Sequence, residues 1–325
     1  MAKGEFALIE RYFRHCGAAR DDLLLGIGDD AALLTPPVGM ALAVTTDTLV
    51  AGVHFFPDGD YRALGWKVLA VNLSDLAAMG AEPAWATLAL TLPHPDPALL
   101  TAFSEGFCAL ARHHRLALVG GDTTRGPLAF TVQLHGFVAP QRALRRDQAR
   151  PGDLIYVTGS LGDAALALRQ IEQWRSGSAP PPSDPALLER LHRPTPRLAE
   201  GAFCAAHHAR CAIDLSDGLL ADLGHICQRS GVGAEIDLQR LPLSPAVRRE
   251  IAQNAAWELP LSGGDDYELC LTLPAAVAAP LLADYPPHLA PLTAIGEITD
   301  GDTIRCRHPD GGDFTPIESG YDHFR

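Results

Sequence analysis

The sequence predicts a two-domain α+β protein, and three observations support this fold class. The chain has 325 residues, of which 47% are hydrophobic and 20% charged, enough apolar material to bury the cores of two domains. Apolar runs of strand length alternate with helical patterns in both halves. Between the halves, residues 139–153 are basic and contain proline and glycine, which is typical of an interdomain connection.

In the first half, the predicted elements place one acidic residue at the end of a strand and another within an apolar helix. The run MALAVTT (40–46) predicts a buried strand that delivers Asp47 at its C-terminal end. Residues 61–80 have apolar side chains at helical spacing and stop at Gly80, a suitable C-cap, so Asp75 interrupts an otherwise apolar helix. The remaining patterns predict a strand at 84–93, a helix at 97–115, a short strand and glycine turn at 116–124, and a strand at 128–138.

The second half begins again with a strand and a glycine turn at residues 154–162, followed by a helix. Residues 176–185 have low complexity and predict a mobile surface loop. Residues 211–231 predict a strand, a turn and a helix that is capped by Ser216 and ended by Gly231. Two aspartates, Asp214 and Asp217, then lie on either side of the helix N-terminus.

Composition and charge exclude several classes of function. A formal net charge of −13 argues against nucleic acid as a partner, because such binding depends on clustered Lys and Arg. The N-terminus lacks the pattern of a secretory leader, and no apolar run is long enough to span a membrane. We therefore expect a cytoplasmic protein without a membrane partner. All seven cysteines are expected to be reduced and buried, and neither they nor the histidines have zinc-site spacing.

Carboxylates are concentrated in five short segments, beside Gly, Ser or Thr. Two carboxylates about 4 Å apart repel by about 4 kcal/mol at an effective dielectric constant of 20, so a cation is expected between them. Magnesium takes one or two carboxylates and completes its shell with water and substrate phosphates, which predicts a magnesium-dependent nucleotide enzyme. The segments are GIGDD (26–30), TTDT (45–48), NLSD (72–75), GGDTT (120–124) and DLSD (214–217).

Other motifs refine this hypothesis. GGDTTRG (120–126) favours a turn that cradles phosphate, whereas the chain contains neither a Walker A loop nor a G-x-G-x-x-G between strand and helix. Arg145 and Arg146 are either solvated linker charges or a phosphate clamp. His54 is equally compatible with a substrate contact and with a hydrogen-bonded loop histidine. No Ser/His/Asp or reactive-cysteine pattern occurs, so neither a protein nucleophile nor a catalytic base is expected.

The motifs together closely resemble the thiamine-monophosphate kinase family, in order and over nearly the whole chain. The resemblance implies a two-domain aminoimidazole ribonucleotide synthetase-like fold, with mixed sheets and packed helices, that forms a homodimer. It also implies the activity: ATP donates its γ-phosphoryl group to thiamine monophosphate, giving thiamine diphosphate and ADP. The segments that carry the resemblance include GIGDDAALL, TTDTLVAGVHF, KVLAVNLSDLAAMGAEPAW, LVGGDTTRGPL, RPGDLIYVTGSLGDAA, IDLSDGLLADLGHI, SGGDDYELC and the terminal GYDHF.

The same resemblance assigns roles to domains and residues. A domain of residues 1–140 would bind metal and ATP and form the dimer, and a domain of residues 150–325 would complete the nucleotide and substrate site. Several Mg²⁺ ions would be held by Asp30, Thr45, Thr46, Asp47, Asp75, Asp122, Asp214 and Asp217. ATP would contact Gly121, Asp122, Arg146 and Ser216, and thiamine monophosphate would contact His54, Asp265 and Tyr321.

One departure and two alternatives remain at this stage. The family pattern has Glu where this chain has Asp265, a side chain one methylene shorter. A related ATP-dependent enzyme, such as an amidine-forming ligase or a selenophosphate synthase, is the first alternative. A non-enzymatic maturation scaffold of the hydrogenase-factor type is the second, although the terminal YDHFR lacks the cysteine expected of such factors.

Overall fold

A computed structural model of the chain describes residues 4–308, 311–314 and 320–321. Most of the terminal GYDHF motif lies outside the described residues, which include only Gly320 and Tyr321 of it. The chain divides into two compact units. The first comprises Met1–Leu76 and Ala81–Gln141, and the second comprises Ala77–Gly80 and Arg142–Arg325.

The first unit is built on a four-stranded mixed sheet with the strand order β3-β6-β4-β5. Strand β6 pairs antiparallel with β3 and β4, and β5 pairs parallel with β4. Phe103 of the third helix stacks on Phe130 of β6, with ring centroids 4.3 Å apart, on the buried face of the sheet. The elements are α1 (Glu5–Tyr12), β1 (Leu23–Leu25), β2 (Leu33–Leu34), β3 (Ala41–Val50), α2 (Tyr61–Ala78), β4 (Glu82–Leu92), α3 (Pro97–His113), β5 (Ala117–Arg125) and β6 (Ala129–Val138).

The second unit contains a seven-stranded sheet with the order β13-β12-β9-β11-β7-β10-β8. Its pairs are antiparallel except for β9 with β12, so this sheet is also mixed. The strands are β7 (Asp153–Thr158), β8 (Cys211–Asp214), β9 (Gly233–Asp237), β10 (Leu269–Pro274), β11 (Leu292–Thr299), β12 (Ile304–Arg307) and β13 (Asp313–Phe314). The helices are α4 (Asp163–Arg175), α5 (Pro185–His192), α6 (Leu198–Ala206), α7 (Leu219–Ser230), α8 (Pro245–Asn254), α9 (Glu258–Ser262) and α10 (Ala275–Asp284).

Three local predictions are wrong. Asp47 does not end its strand, because β3 continues to Val50 and pairs with β6 along its whole length. The GGDTT segment is part of strand β5 rather than a turn. Ser216 does not cap helix α7, whose N-cap is Gly218, whereas Gly231 ends the helix as predicted, in a left-handed conformation.

The cysteines also differ from expectation. Cys16 and Cys108, 92 residues apart in the sequence, form a disulfide bond in the first unit. The other five cysteines are free and buried, as the sequence predicts. Burial raises the pKa of the Cys204 thiol to about 12, so it stays protonated at neutral pH. In the described part of the chain, no helix is both long enough and apolar enough to cross a membrane.

Candidate functional site

In the first unit, strand β3 and helix α2 bring two predicted metal ligands together. Side chains alternate along a strand, so Thr45 and Asp47 lie on the same face of β3 as the buried Leu49. Asp75, from α2, meets this face, where the Thr45 hydroxyl donates to its Oδ2 at 2.5 Å. Thr45, Asp47 and Asp75 thus form a group of oxygen donors. We call its two acidic members, Asp47 and Asp75, the β3–α2 carboxylate pair.

The electrostatics of this pair are unfavourable without a cation. Burial, together with the negative charge of Asp75, raises the pKa of Asp47 to about 7. Desolvation and like charge both penalise the ionised carboxylate, and a divalent cation would relieve both effects. Two carboxylates and a hydroxyl are hard oxygen donors of the kind that Mg²⁺ prefers, so the residues present fit this ion.

The pair does not extend into a larger acidic cluster. Across residues 4–308, 311–314 and 320–321, no three His, Cys, Asp or Glu side chains are grouped so that they could hold a metal ion. Magnesium rarely needs such a cage, because water and substrate phosphates complete its coordination. The β3–α2 carboxylate pair could therefore supply only part of a coordination shell.

Asp122 lies on the opposite face of the same sheet. The ladder register aligns Thr48, Thr131, Ala89 and Asp122 in one row across β3, β6, β4 and β5. This row belongs to the exposed face, which also carries Thr46. Three strand spacings separate Asp122 from β3, a distance of about 14 Å. Within one copy of the first unit, Asp122 and Asp47 are therefore too far apart to ligate the same ion.

Gly121 is required by the backbone of β5. Its φ is +151°, and a Cβ at this position would lie 1.9 Å from the carbonyl oxygen of Leu88. We expect Gly121→Ala to lower the free energy of unfolding by more than about 2 kcal/mol, because the backbone of β4 or β5 must move. Urea unfolding followed by circular dichroism measures this change.

The neighbouring glycine provides the matched control. A Cβ on Gly120 would meet only a Thr87 methyl carbon, at 4.0 Å, and its φ is not in the left-handed region. Gly120→Ala should therefore remain close to wild type. Equal stability of the two variants would contradict the assigned backbone geometry.

Asp30 and His54 lie in loops of the first unit. Asp30 is exposed, and its backbone N–H donates to Asp29 Oδ1 at 2.9 Å. His54 is half-buried, and its Nδ1 accepts the backbone N–H of Val50 at 3.0 Å. A neutral imidazole that accepts at Nδ1 carries its proton at Nε2. His54 is thus both a hydrogen-bonded loop histidine and a fixed Nε2–H donor.

In the second unit, residues 214–218 form a loop between β8 and α7. Asp222, in the first turn of α7, accepts hydrogen bonds from the backbone N–H groups of Ser216, Asp217 and Gly218 at 3.0, 3.1 and 3.2 Å. Burial, together with the charge of Asp217, raises the pKa of Asp222 to about 7. Sequence analysis missed this residue. An acidic residue in the first helical turn after the DLSDG segment was the available signal.

A second loop, residues 263–268, packs against the 214–218 loop. The backbone N–H of Asp265 donates to the Ser216 carbonyl at 2.9 Å, and that of Tyr267 donates to the Leu215 carbonyl at 2.8 Å. The backbone N–H of Tyr321 donates to the Asp217 carbonyl at 3.1 Å. Four predicted site residues of the second unit, namely Ser216, Asp217, Asp265 and Tyr321, are therefore neighbours.

The remaining two predicted residues of this unit differ in exposure. Asp214 ends β8 and is buried. Arg146 is exposed, and its carbonyl accepts the Ser230 hydroxyl at 2.8 Å. Its neighbour Arg145 forms an ion pair with Asp147 at 2.6 Å, so Arg146 is the better candidate for an external phosphate.

A buried ion cluster holds the last residue of the 263–268 loop, Glu268. Glu268 is fully buried and accepts hydrogen bonds from both Arg190 (2.7 Å) and Arg197 (2.6 Å at each oxygen). The Thr158 hydroxyl also donates to Glu268, at 2.6 Å. Sequence analysis did not identify this cluster, because its members come from β7, from α5, from the residue before α6 and from the residue before β10.

Comparison with known proteins defines the class. The chain matches the AIR synthase related protein N-terminal domain over residues 28–138 and the corresponding C-terminal domain over residues 150–308. The fold is therefore that of an AIR synthase related protein.

The full-length relatives identify the family within this class. The chain is 50% identical to a thiamine-monophosphate kinase of Escherichia coli (strain K12), over 100% of this chain and 99% of that one. The crystal structure of thiamine-monophosphate kinase from Stenotrophomonas maltophilia K279a is 50% identical, with a TM-score of 0.83, and the match covers 96% of this chain and 98% of that one. AaThiL complexed with AMPPCP and TMP is 33% identical, with a TM-score of 0.76 and 92% of each chain covered. The chain belongs to the thiamine-monophosphate kinase family.

Proposed function

We propose that this chain transfers the γ-phosphoryl group of ATP directly to the phosphate of thiamine monophosphate, in line and with the assistance of Mg²⁺, giving thiamine diphosphate and ADP. Similarity over the full length to thiamine-monophosphate kinases supports the reaction. The relative complexed with AMPPCP and TMP supports both substrates. The single structural observation that favours Mg²⁺ is the β3–α2 carboxylate pair, in which burial and Asp75 raise the pKa of Asp47 to about 7.

We assign the Mg²⁺ ligands to oxygen donors in both units. Bound there, Mg²⁺ would supply positive charge that neutralises the nucleotide phosphates. Asp122 and Asp47 of one copy cannot share an ion, so Asp122 either holds a separate ion or completes the site of a second copy. The proposed ligands are Asp30, Thr45, Thr46, Asp47, Asp75, Asp122, Asp214 and Asp217.

The chain's own residues bind and orient the two phosphates. His54 would donate from Nε2 to the phosphate of thiamine monophosphate, since its Nδ1 already accepts from Val50. Gly121, Asp122, Arg146 and Ser216 would contact ATP. The acceptor phosphate, whose second pKa is about 6, is a dianion at neutral pH and attacks without a protein base. Positioning and charge neutralisation therefore suffice for catalysis.

The substrate end of the site would lie in the second unit. Asp265 and Tyr321 are neighbours of Asp217 through the two hydrogen-bonded loops. The carboxylate of Asp265 would interact with the positively charged thiamine moiety, and the half-exposed ring of Tyr321 would pack against it. In this proposal, residues 150–325 complete the nucleotide and substrate site, whereas residues 1–140 bind metal and ATP. We place the reaction in the cytoplasm.

We further propose a homodimer formed through the first unit. The open face of the four-stranded sheet carries Leu42 and Val44, which are 46% and 52% exposed. Apolar side chains on the exposed face of a sheet favour burial against another surface, and a second copy of the same face would be self-complementary.

A charge on this face should prevent dimerisation. Val44→Asp is expected to shift the protein from dimer to monomer in sedimentation velocity experiments, because the charge would be buried without a partner. Val38→Asp is the matched control, since Val38 is fully exposed in the loop before β3. A monomeric wild-type protein, or a Val44→Asp variant that still dimerises, would exclude this interface.

Mass-spectrometric detection of thiamine diphosphate tests the activity. The protein is incubated with ATP, Mg²⁺ and thiamine monophosphate, and thiamine diphosphate and ADP should form in equal amounts. Product should be absent when Mg²⁺ is replaced by a chelator. ADP release without thiamine diphosphate would favour another ATP-dependent enzyme of the AIR synthase related class. A protein that neither turns over ATP nor binds thiamine monophosphate would favour a scaffold.

A further inference from the structure

The 263–268 loop has an alternating arrangement of side chains. Asp266 and Glu268 are buried, whereas Asp265 and Tyr267 are partly exposed. Asp265 and Tyr267 both have positive φ values, +68° and +49°. Such values are uncommon for residues other than glycine, so the backbone is strained at both positions.

The loop is held in this conformation from both sides. The backbone N–H groups of Asp265 and Tyr267 donate to the 214–218 loop. On the buried side, both carboxylate oxygens of Asp266 accept the Gly162 N–H at 3.0 Å. A strained conformation that neighbouring contacts fix in this way is characteristic of functional loops. Asp265 and Tyr267 are therefore presented on a rigid backbone.

The two presented side chains contact each other. The Tyr267 hydroxyl donates to Asp265 Oδ1 at 2.9 Å. A hydrogen bond to a carboxylate is stronger than one between neutral groups, and this one limits the rotation of the Asp265 side chain. A carboxylate with a fixed direction recognises a cationic ligand at a smaller entropic cost than a mobile carboxylate does.

We propose that Tyr267 is a positioning residue of the thiamine monophosphate site and that it acts through Asp265. This inference rests on the proposed substrate role of Asp265. The Tyr267 hydroxyl orients the carboxylate towards the positively charged thiamine moiety. Tyr267 therefore contributes to the affinity for thiamine monophosphate rather than to phosphoryl transfer.

Tyr267→Phe removes the hydroxyl and keeps the ring. We expect the KM for thiamine monophosphate to rise about tenfold, with kcat within twofold of wild type and the KM for ATP unchanged. Tyr285→Phe is the matched control, because the Tyr285 hydroxyl donates to the Ala290 carbonyl at 2.8 Å in the same unit. An unchanged KM for thiamine monophosphate in Tyr267→Phe, or equal rises in KM for both substrates, would overturn the inference.

A double-mutant cycle separates this inference from the proposed function. Asp265→Gly removes the carboxylate at a φ that glycine tolerates, and it should raise the KM for thiamine monophosphate more than Tyr267→Phe does. In the Asp265→Gly background, Tyr267→Phe should have no further effect. A further tenfold rise in the KM for thiamine monophosphate in the double variant would show that Tyr267 acts independently of Asp265. A normal KM in Asp265→Gly itself would instead remove the substrate role of Asp265 from the proposed function.

Discussion

Asp47→Asn is expected to lower kcat for thiamine diphosphate formation by about 100- to 1,000-fold, as the loss of one preorganised electrostatic contact to the transition state does. Asparagine has the same shape but lacks the charge that the proposed Mg²⁺ ligand supplies. The fold should be preserved, because the substitution also removes the repulsion between Asp47 and Asp75, which contributes to the raised pKa of Asp47. Steady-state kinetics at saturating ATP and thiamine monophosphate measures the loss.

Thermal unfolding provides the internal check on this prediction. Mg²⁺ with ADP should raise the Tm of the wild-type protein by more than that of Asp47→Asn, because a ligand that binds only the folded state stabilises it. The exposed Asp21 provides the control, and Asp21→Asn should behave as wild type in both assays. A near-normal kcat in Asp47→Asn would refute the assignment of Asp47. We expect the same loss of kcat for Asp122→Asn, and a near-normal kcat in that variant would refute the assignment of Asp122.

Glu268→Gln is expected to lower the free energy of unfolding by about 3–5 kcal/mol, the usual cost of removing one partner of a buried ion pair. The Glu268 side chain is fully buried, whereas those of Arg190 and Arg197 are 18% and 15% exposed. Without the carboxylate, two largely buried guanidinium groups would lose their counter-charge. Urea unfolding with intrinsic fluorescence as the signal measures the change.

An exposed ion pair in the same unit gives the comparison. Glu258 contacts Arg169 at 3.2 Å, and its side chain is 61% exposed. Glu258→Gln should change stability by less than about 1 kcal/mol, because solvent screens exposed pairs. Similar losses in the free energy of unfolding for the two variants would show that burial does not determine how much the Glu268 cluster contributes to stability.

The sequence predicts the elements whose signals are local. Helix α2 has apolar residues at helical spacing and is followed by Gly80, so both the helix and the position of Asp75 within it follow from the residues alone. The apolar run MALAVTT (40–46) predicts a strand that ends at Asp47. In the structure, ten consecutive pairs with β6 extend β3 to Val50, and a local pattern does not show this pairing.

The contacts that sequence analysis missed join distant residues or depend on backbone geometry. Glu268 is 110 residues from Thr158 and 71 from Arg197, so no spacing rule connects them. The two glycines of GGDTT favour a turn when only the sequence is considered, yet a register irregularity between β4 and β5 accommodates them within the sheet. Sheet register, which places Asp122 and Asp47 on opposite faces, is likewise a property of the assembled strands.

Electron paramagnetic resonance with Mn²⁺ in place of Mg²⁺ tests most directly whether the β3–α2 carboxylate pair holds a divalent cation. The free Mn²⁺ signal is titrated with wild-type protein and with Asp47→Asn and Asp75→Asn, each in the presence of AMPPCP. The wild-type protein should bind at least one more Mn²⁺ per chain than either variant. Equal stoichiometry and equal affinity in all three proteins would show that the pair binds no metal ion.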